Sequence, residues 1–322
     1  MDGIALATSG LRKRYGTQVA LDGLDLAVPE GVVYGFLGPN GAGKTTTMRI
    51  LTGLIHADGG SVELLGRRFT RGSRRLLFGV GALVESPSFY PYLSGRENLL
   101  AIAATGAPVP RGRVDELLTL VGLADRARSR VSGYSLGMRQ RLGIAAALLS
   151  DPRLLLLDEP ANGLDPAGIV GMRDTLRSLA AAGTTVFVSS HILGEVQQLA
   201  DVIGIIAHGR LVREGPIGSL LAGEGSVRVR VAPEEVPRAA ATLEALGGSG
   251  VAASGAAGGV DADDGWLSVR FDPGRAADVN RALAEAGIYA SRIEAGTNLE
   301  ALFLELTGDG ASAGTPLGST GA

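Results

Sequence analysis

Residues 38–46 read Gly38-Pro39-Asn40-Gly41-Ala42-Gly43-Lys44-Thr45-Thr46, with a strand-like apolar stretch before them (32–37) and a helix-like stretch behind (45–54). That placement gives a G-x-x-x-x-G-K-[ST] pattern a mechanism. A strand delivers the loop, glycines let successive backbone N–H groups curl round a phosphate, and the following helix aims its positive N-terminus at the same anion. The helix end alone contributes about 0.3–1 kcal/mol, so binding has to come from the summed cradle. Lys44 adds a full positive charge for β- and γ-phosphates, and the Thr45 hydroxyl is placed to ligate Mg²⁺. The plainer alternative is a turn in a glycine-rich chain, since 49 of 322 residues are Gly. Lys13 and Lys44 are the only two lysines, so the pattern arises by chance in about one shuffled chain in 200 on residue frequencies, and the turn reading is set aside.

A second chemical group stands at 154–160, Leu-Leu-Leu-Leu-Asp158-Glu159-Pro160. This reads as a buried strand delivering two carboxylates, Asp158 to hold Mg²⁺ and Glu159 to face the water that attacks a γ-phosphate. A positioned general base contributes about 10²–10⁴-fold in rate. His191 ends another apolar run, at 184–189. A lone histidine is more often structural, but a strand end after Asp165 favours a γ-phosphate sensor; His56 and His208 lack such a placement. Tyr15 lies in a turn between two strands, where its ring can face a ligand.

These groups need a scaffold. Apolar runs at 32–37, 80–85, 154–158, 184–189 and 202–207 alternate with helical stretches, the pattern of an α/β domain over residues 1–217 with a largely parallel sheet. A mostly helical insertion, 86–135, is punctuated by Pro87, Pro91, Pro108 and Pro110. A glycine-rich linker is expected at 218–225. Beyond it, 226–307 reads as strand, helix, strand, helix and strand, ending in a helix at 299–306, which suggests a small ferredoxin-like α+β domain of βαββαβ order. The small-residue stretch 247–259 and the tail 308–322 are expected to be mobile.

Bulk properties exclude several classes. With no cysteine, disulfides, Cys-based zinc sites and thiol catalysis are ruled out. A formal net charge of −3 gives no general reason to expect a nucleic-acid partner. No stretch approaches the roughly 18–20 apolar residues of a membrane helix, and the N-terminus lacks a signal pattern, so a cytoplasmic location is expected.

Upstream of Asp158, Tyr134-Ser135-Leu136-Gly137-Met138-Arg139-Gln140-Arg141 opens a helix over 138–149. A Ser cap proves only a helix start. Ahead of Asp158-Glu159, however, it resembles the signature motif of the ATP-binding cassette (ABC) ATPases. Ala161-Asn162-Gly163-Leu164-Asp165 resembles the D-loop of that family, His191 its switch histidine and Tyr15 its adenine-stacking aromatic. The resemblance covers residues 1–217. It implies a P-loop NTPase fold with a helical subdomain, ATP and Mg²⁺ as ligands, and hydrolysis by a homodimer. ATP would lie between Lys44 and Thr45 of one copy and Ser135, Leu136, Gly137 and Met138 of the other.

The chain departs from the commonest family pattern at Glu85, where the coupling loop usually has Gln. It departs again at Tyr134 and Leu136 in the signature. Glu85 can still coordinate Mg²⁺, as an anion rather than an amide. These departures, and the closing helix at 299–306, resemble the bacitracin, lantibiotic and daunorubicin type of drug-export ATPase. That resemblance implies a subunit peripheral on the inner face of the cell membrane. A separate permease would dock on the 85–92 loop and the helical segment after it. Two alternatives stay open on sequence: a soluble ABC protein acting on ribosomes or DNA, and a regulatory subunit that binds ATP without hydrolysing it.

Overall fold

A computed structural model describes residues 3–70, 72–106, 109–222, 225–253, 265–271 and 273–297. The chain divides into two compact units, Met1–Pro216 and Ile217–Ala322. The first runs β1 (Ile4–Tyr15), β2 (Gln18–Pro29), β3 (Val33–Leu37), α1 (Lys44–Leu51), β4 (Gly59–Leu64), β5 (Arg67–Arg68), β6 (Val80–Leu83), α2 (Gly95–Ala103) and α3 (Arg113–Leu120). It continues with α4 (Leu136–Ala147), β7 (Leu154–Asp158), α5 (Pro166–Ala181), β8 (Thr185–Ser190), α6 (Leu193–Leu199), β9 (Val202–Ala207) and β10 (Arg210–Pro216).

A six-stranded sheet of order β10-β9-β3-β8-β7-β6 forms the spine, parallel except at β10. Strands covered on both faces are apolar at every position rather than at alternate ones. β7 shows this directly: Leu155 and Leu157 pack into one core with Leu142, Ile144, Leu176 and Val188. Leu154 and Leu156 turn to the opposite core with Tyr34, Phe36, Met48 and Phe187. In that second core the Phe187 ring lies 5.2 Å from both Tyr34 and Phe36, centroid to centroid.

The second core is roofed by a separate layer that the sequence pattern did not reveal. β2, β1, β4 and β5 form a four-stranded antiparallel sheet, in that order. It contributes Leu6, Leu11, Leu21, Leu24, Val62 and Leu64. The first core lies under the insertion expected at 86–135, which holds α2 and α3, followed by two short 3₁₀ turns. α2 is started by a capping box: Ser94 Oγ accepts from the Glu97 N–H, and the Glu97 carboxylate accepts from the Ser94 N–H at 2.8 Å.

In the second unit the order is α7 (Ile217–Ala222), β11 (Gly225–Arg230), α8 (Val236–Ala245), β12 (Ser249–Ala253), β13 (Trp266–Arg270), α9 (Ala276–Glu285) and β14 (Arg292–Thr297). Its sheet is antiparallel, in the order β12-β13-β11-β14. The core is Val227, Val229, Leu243, Leu267, Val269, Phe271, Val279 and Leu283. Two expectations are corrected here. The linker stretch contains a helix, α7, and the supposed small-residue loop contains β12, which pairs with β13. Glycine and alanine carry no strand signal; the register with β13 recruits them. The closing helix at 299–306 and the tail 308–322 lie outside the described residues.

One close approach sets how β6 lies on α4. A Cβ added at Gly81 would sit 2.1 Å from the Ala147 carbonyl oxygen, a backbone atom that cannot swing aside. Gly81→Ala is therefore expected to cost about 1–3 kcal/mol, the usual range for overpacking. In a unit of this size that lowers the thermal midpoint by about 2–4 °C per kcal/mol. Gly171→Ala, mid-helix with open space around it, is expected to leave the midpoint unchanged or raise it. A thermal melt of the two variants checks this; equal midpoints would refute the packing account.

Candidate functional site

The loop between β3 and α1 is shaped by close approach as much as by conformational freedom. A Cβ on Gly38 would lie 2.4 Å from the Ile206 carbonyl oxygen. Gly43 caps α1 from the left-handed region at φ 112°, with Ala20 O 2.7 Å from where its Cβ would be. Only glycine fits either position. Gly43 has no side chain to cap α1, so the first-turn N–H groups of the helix remain donors for an anion. Lys44 is 5% exposed and curls back over the loop. Its ammonium donates to Gly38 O at 2.7 Å and Pro39 O at 3.2 Å, and lies 3.6 Å from Glu159 Oε1. Burial pushes the Lys44 pKa down, while the neighbouring Glu159 and Asp158 push the other way. Apposed glycines, uncapped donors and a buried ammonium together fit a polyphosphate.

Sheet order explains how the carboxylates arrive. β3, β8 and β7 are adjacent and parallel, so their carboxyl ends stand side by side, where α/β proteins place ligands. In register, Asp158 pairs with Ser189 and Leu37 with Ser190. Ser189, fully buried, donates its hydroxyl to Asp158 Oδ1 and accepts the Glu159 N–H at 3.0 Å. Glu159 itself has φ 47°, an uncommon conformation for a non-glycine residue and one that turns the chain sharply off β7.

The Glu159 carboxylate is held at one end. Its Oε2 lies 2.9 Å from His191 Nδ1 and accepts from the Asn162 amide at 2.7 Å. Its Oε1 points to Lys44. With Nδ1 engaged, the remaining ring nitrogen of His191 is Nε2, and the imidazole is 37% exposed. A third carboxylate, Glu195 on α6, stands near this pair; burial raises its pKa, assisted by Glu159 and opposed by His191. The structure thus brings Lys44, Glu159, His191 and, through Ser189, Asp158 into one cluster.

Other candidates sit differently. Ser135 N-caps α4, its Oγ accepting the Met138 N–H at 3.2 Å, which leaves the helix start facing outward with Leu136 48% exposed. Asp165 caps α5 by accepting the Gly168 N–H at 2.9 Å. Tyr15 is 44% exposed at the β1–β2 turn, with the Lys13 ammonium 5.6 Å from its ring centroid. Glu85, at φ 65°, is ion-paired with Arg49 of α1. Arg49 and Ser189 were not singled out from sequence. Ser189-Ser190 closing an apolar run was the available signal for a polar strand end; for Arg49 there was none, because its partner lies 36 residues away.

A family model described as "ABC transporter" matches residues 21–162. The chain is 48% identical over 216 residues to the bacitracin transport ATP-binding protein of Bacillus licheniformis, 67% of this chain and 71% of that one. It is 41% identical over 311 residues to a daunorubicin resistance ATP-binding protein of Streptomyces coeruleorubidus, covering 95% and 96% of the two. A solved ATP-binding subunit of an ABC transporter superposes with TM-score 0.61 at 28% identity, covering 67% of this chain and 91% of its own. An ATP-binding cassette in its ADP conformation does so with TM-score 0.61 at 26% identity, over 68% and 95%. With identity of this order sustained over nearly the full length of both chains, the chain belongs to the ATP-binding proteins of ABC transporters, a family of ATPase cassettes.

Proposed function

We propose that this ATPase energises export of an antibiotic-like compound through a separate membrane permease. The cargo class is supported by the relatives named for bacitracin and daunorubicin. The ATPase chemistry is carried by one observation: Glu159 is gripped at Oε2 while Oε1 faces the Lys44 ammonium at the mouth of the phosphate loop. Lys44 and the α1 N-terminus bind the β- and γ-phosphates. Glu159 Oε1 takes a proton from the attacking water as its oxygen bonds to the γ-phosphorus and the bond to ADP breaks. His191 presents Nε2 to the γ-phosphate.

Among the described residues no three His, Cys, Asp or Glu side chains are grouped to hold a metal by themselves. That suits an ion carried in on phosphates, with Thr45 and Asp158 as the protein's share and Glu85 reaching it only on leaving Arg49. Mg²⁺ there would neutralise charge developing on the phosphate oxygens. The outward start of α4, with Ser135 and Gly137, is free to close over the phosphates of a second copy, which makes an ATP-bridged homodimer the hydrolysing unit. We also assign the second unit a ferredoxin-like fold, on its sheet order β12-β13-β11-β14 with α8 following β11 and α9 following β13.

For the permease, the structure offers a groove of about 390 Å³ lined by Phe78, Leu83, Pro87, Phe89, Ile102 and Val109. Beside it Tyr90 and Tyr92 are 55% and 64% exposed, their rings 5.8 Å apart. The buried Asn98 clamps this loop, accepting the Tyr90 N–H at 2.8 Å and donating to Tyr90 O at 3.1 Å. Tyr90 is therefore a surface group on a fixed backbone, whereas Phe89 packs against the core. No helix among the described residues is long and apolar enough to cross a membrane, so docking on a permease supplies the attachment to its inner face.

Two measurements test this reading. Glu159→Gln is expected to lower ATP turnover by about 10²–10⁴-fold while leaving ATP affinity within a few-fold, by steady-state hydrolysis and equilibrium binding; undiminished turnover would remove the general base. Tyr90→Ala is expected to keep basal hydrolysis and abolish drug efflux from cells that also express the permease. Normal efflux by that variant would dismiss the docking loop.

A further inference from the structure

We propose that Asn162 is the positioning residue that aims the general base, holding one oxygen of Glu159 so that the other faces the phosphate site. The inference rests on the reading of Glu159 as that base. The Glu159 backbone is fixed by two bonds to Ser189, from its N–H to the carbonyl at 3.2 Å and to the hydroxyl at 3.0 Å. Its side chain still has three rotatable torsions and an ammonium 3.6 Å away pulling on Oε1. Two donors restrain it, both at Oε2: His191 Nδ1 at 2.9 Å and Asn162 Nδ2 at 2.7 Å.

The two donors are not equivalent. His191 has its own business with the γ-phosphate, and any turn of the imidazole toward that group loosens its hold on Oε2. Asn162 then remains as the fixed restraint. Its amide reaches back because the chain folds into a tight turn, with the Asn162 N–H donating to Glu159 O at 3.1 Å and Pro160 inside the turn. The turn packs against the start of α4. Gly163 comes next at φ 79°, and the Leu136 side chain comes within 2.2 Å of the point a Cβ there would occupy.

Residue type fits the task. Asn162 is exposed, so water could satisfy its amide, and burial does not force the bond to Glu159. The amide donates without adding charge. A lysine or arginine at this position would form an ion pair with the base and reduce its basicity; an aspartate would repel it.

The test uses the full-length chain and measures kcat, KM for ATP, equilibrium binding of a fluorescent ATP analogue and the thermal midpoint. Asn162→Ala is expected to lower kcat by about tenfold to a hundredfold, the scale of a misaimed catalytic group, with KM, affinity and midpoint nearly unchanged. Asn162→Asp, the same shape without the donor, is expected to fall further, and Asn162→Ser, a shorter donor, to recover part of the loss. In a Glu159→Gln background Asn162→Ala is expected to cause no additional loss in residual rate, because a residue acting only through the carboxylate has nothing left to act on. Wild-type kcat in Asn162→Ala beside an inactive Glu159→Gln overturns the assignment alone, as does an equal loss in both backgrounds, which marks a turn residue. Full activity in Glu159→Gln overturns the general base and this inference with it.

Discussion

Everything catalytic in this chain depends on the lateral register of three parallel strands. β3, β8 and β7 pair so that Leu37 meets Ser190 and Asp158 meets Ser189. Each strand therefore ends at the same height, and that shared edge carries the three chemical groups side by side: a phosphate loop, an imidazole, a pair of carboxylates. A slip of one residue in β7 would exchange its two faces, sending Leu155 and Leu157 into the core now filled by Leu154 and Leu156. Because residues 154–157 are all leucine and all fully covered, the slip would exchange leucine for leucine within the cores and be penalised at the strand ends, where the exposed Arg153 or the charged Asp158 would be drawn into a covered leucine position. The same apolar mass that stabilises the domain thus holds Lys44 and Glu159 at 3.6 Å.

That spacing places opposite charges where water is scarce. Lys44 is nearly buried and Asp158 is 6% exposed, so each needs a partner, and an uncompensated buried charge is expensive. The partners supplied are unequal. Lys44 has two backbone carbonyls and a carboxylate at longer range; Asp158 has a serine hydroxyl. The ion pair of Lys44 with Glu159 is a loose one, at 3.6 Å, and the serine that holds Asp158 is uncharged. The site is thereby disposed to exchange these weak partners for the phosphates of a nucleotide, while strong partners would have competed with them.

How much of this could be read in the sequence depends on which interactions are local. The phosphate loop, β7 and the serine cap of α4 are contiguous patterns, and each stands where it was expected. Of the antiparallel sheet only the two strands flanking the Tyr15 turn were expected; the layer they build with β4 and β5 was not, and the β1–β2 register shifts at four places, which breaks the period-two alternation such strands advertise. β12 has neither branched nor aromatic residues apart from Val251 and exists by pairing. Ser189 and Arg49 act on partners 31 and 36 residues away, where spacing in sequence has no bearing on spacing in space; the amide of Asn162 is only three residues from Glu159, but its bond depends on the turn the chain makes there. Glu85 was legible as a departure from the common pattern, but its ion pair with Arg49 was not.

The start of α4 and Glu159 are not independent parts of the chain. Leu136 leans into the space that Gly163 leaves open, and Leu164 approaches to 3.0 Å from where a Gly137 Cβ would be. Two residues of the α4 start are thus interleaved with two residues after Glu159, and at Gly163 both the contact and the positive φ favour glycine. One end of the segment is tied to Glu159 by the Asn162 turn; the other is tied to α5 by the Asp165 cap. Between two anchored ends, so short a segment has little slack. Displacement of the α4 N-terminus must therefore either separate Leu136 from Gly163, exposing apolar surface, or move the turn that carries Asn162. The first costs hydrophobic contact and the second shifts the donor at Glu159 Oε2, so the start of α4 and the Glu159 carboxylate are linked through one short segment of the chain.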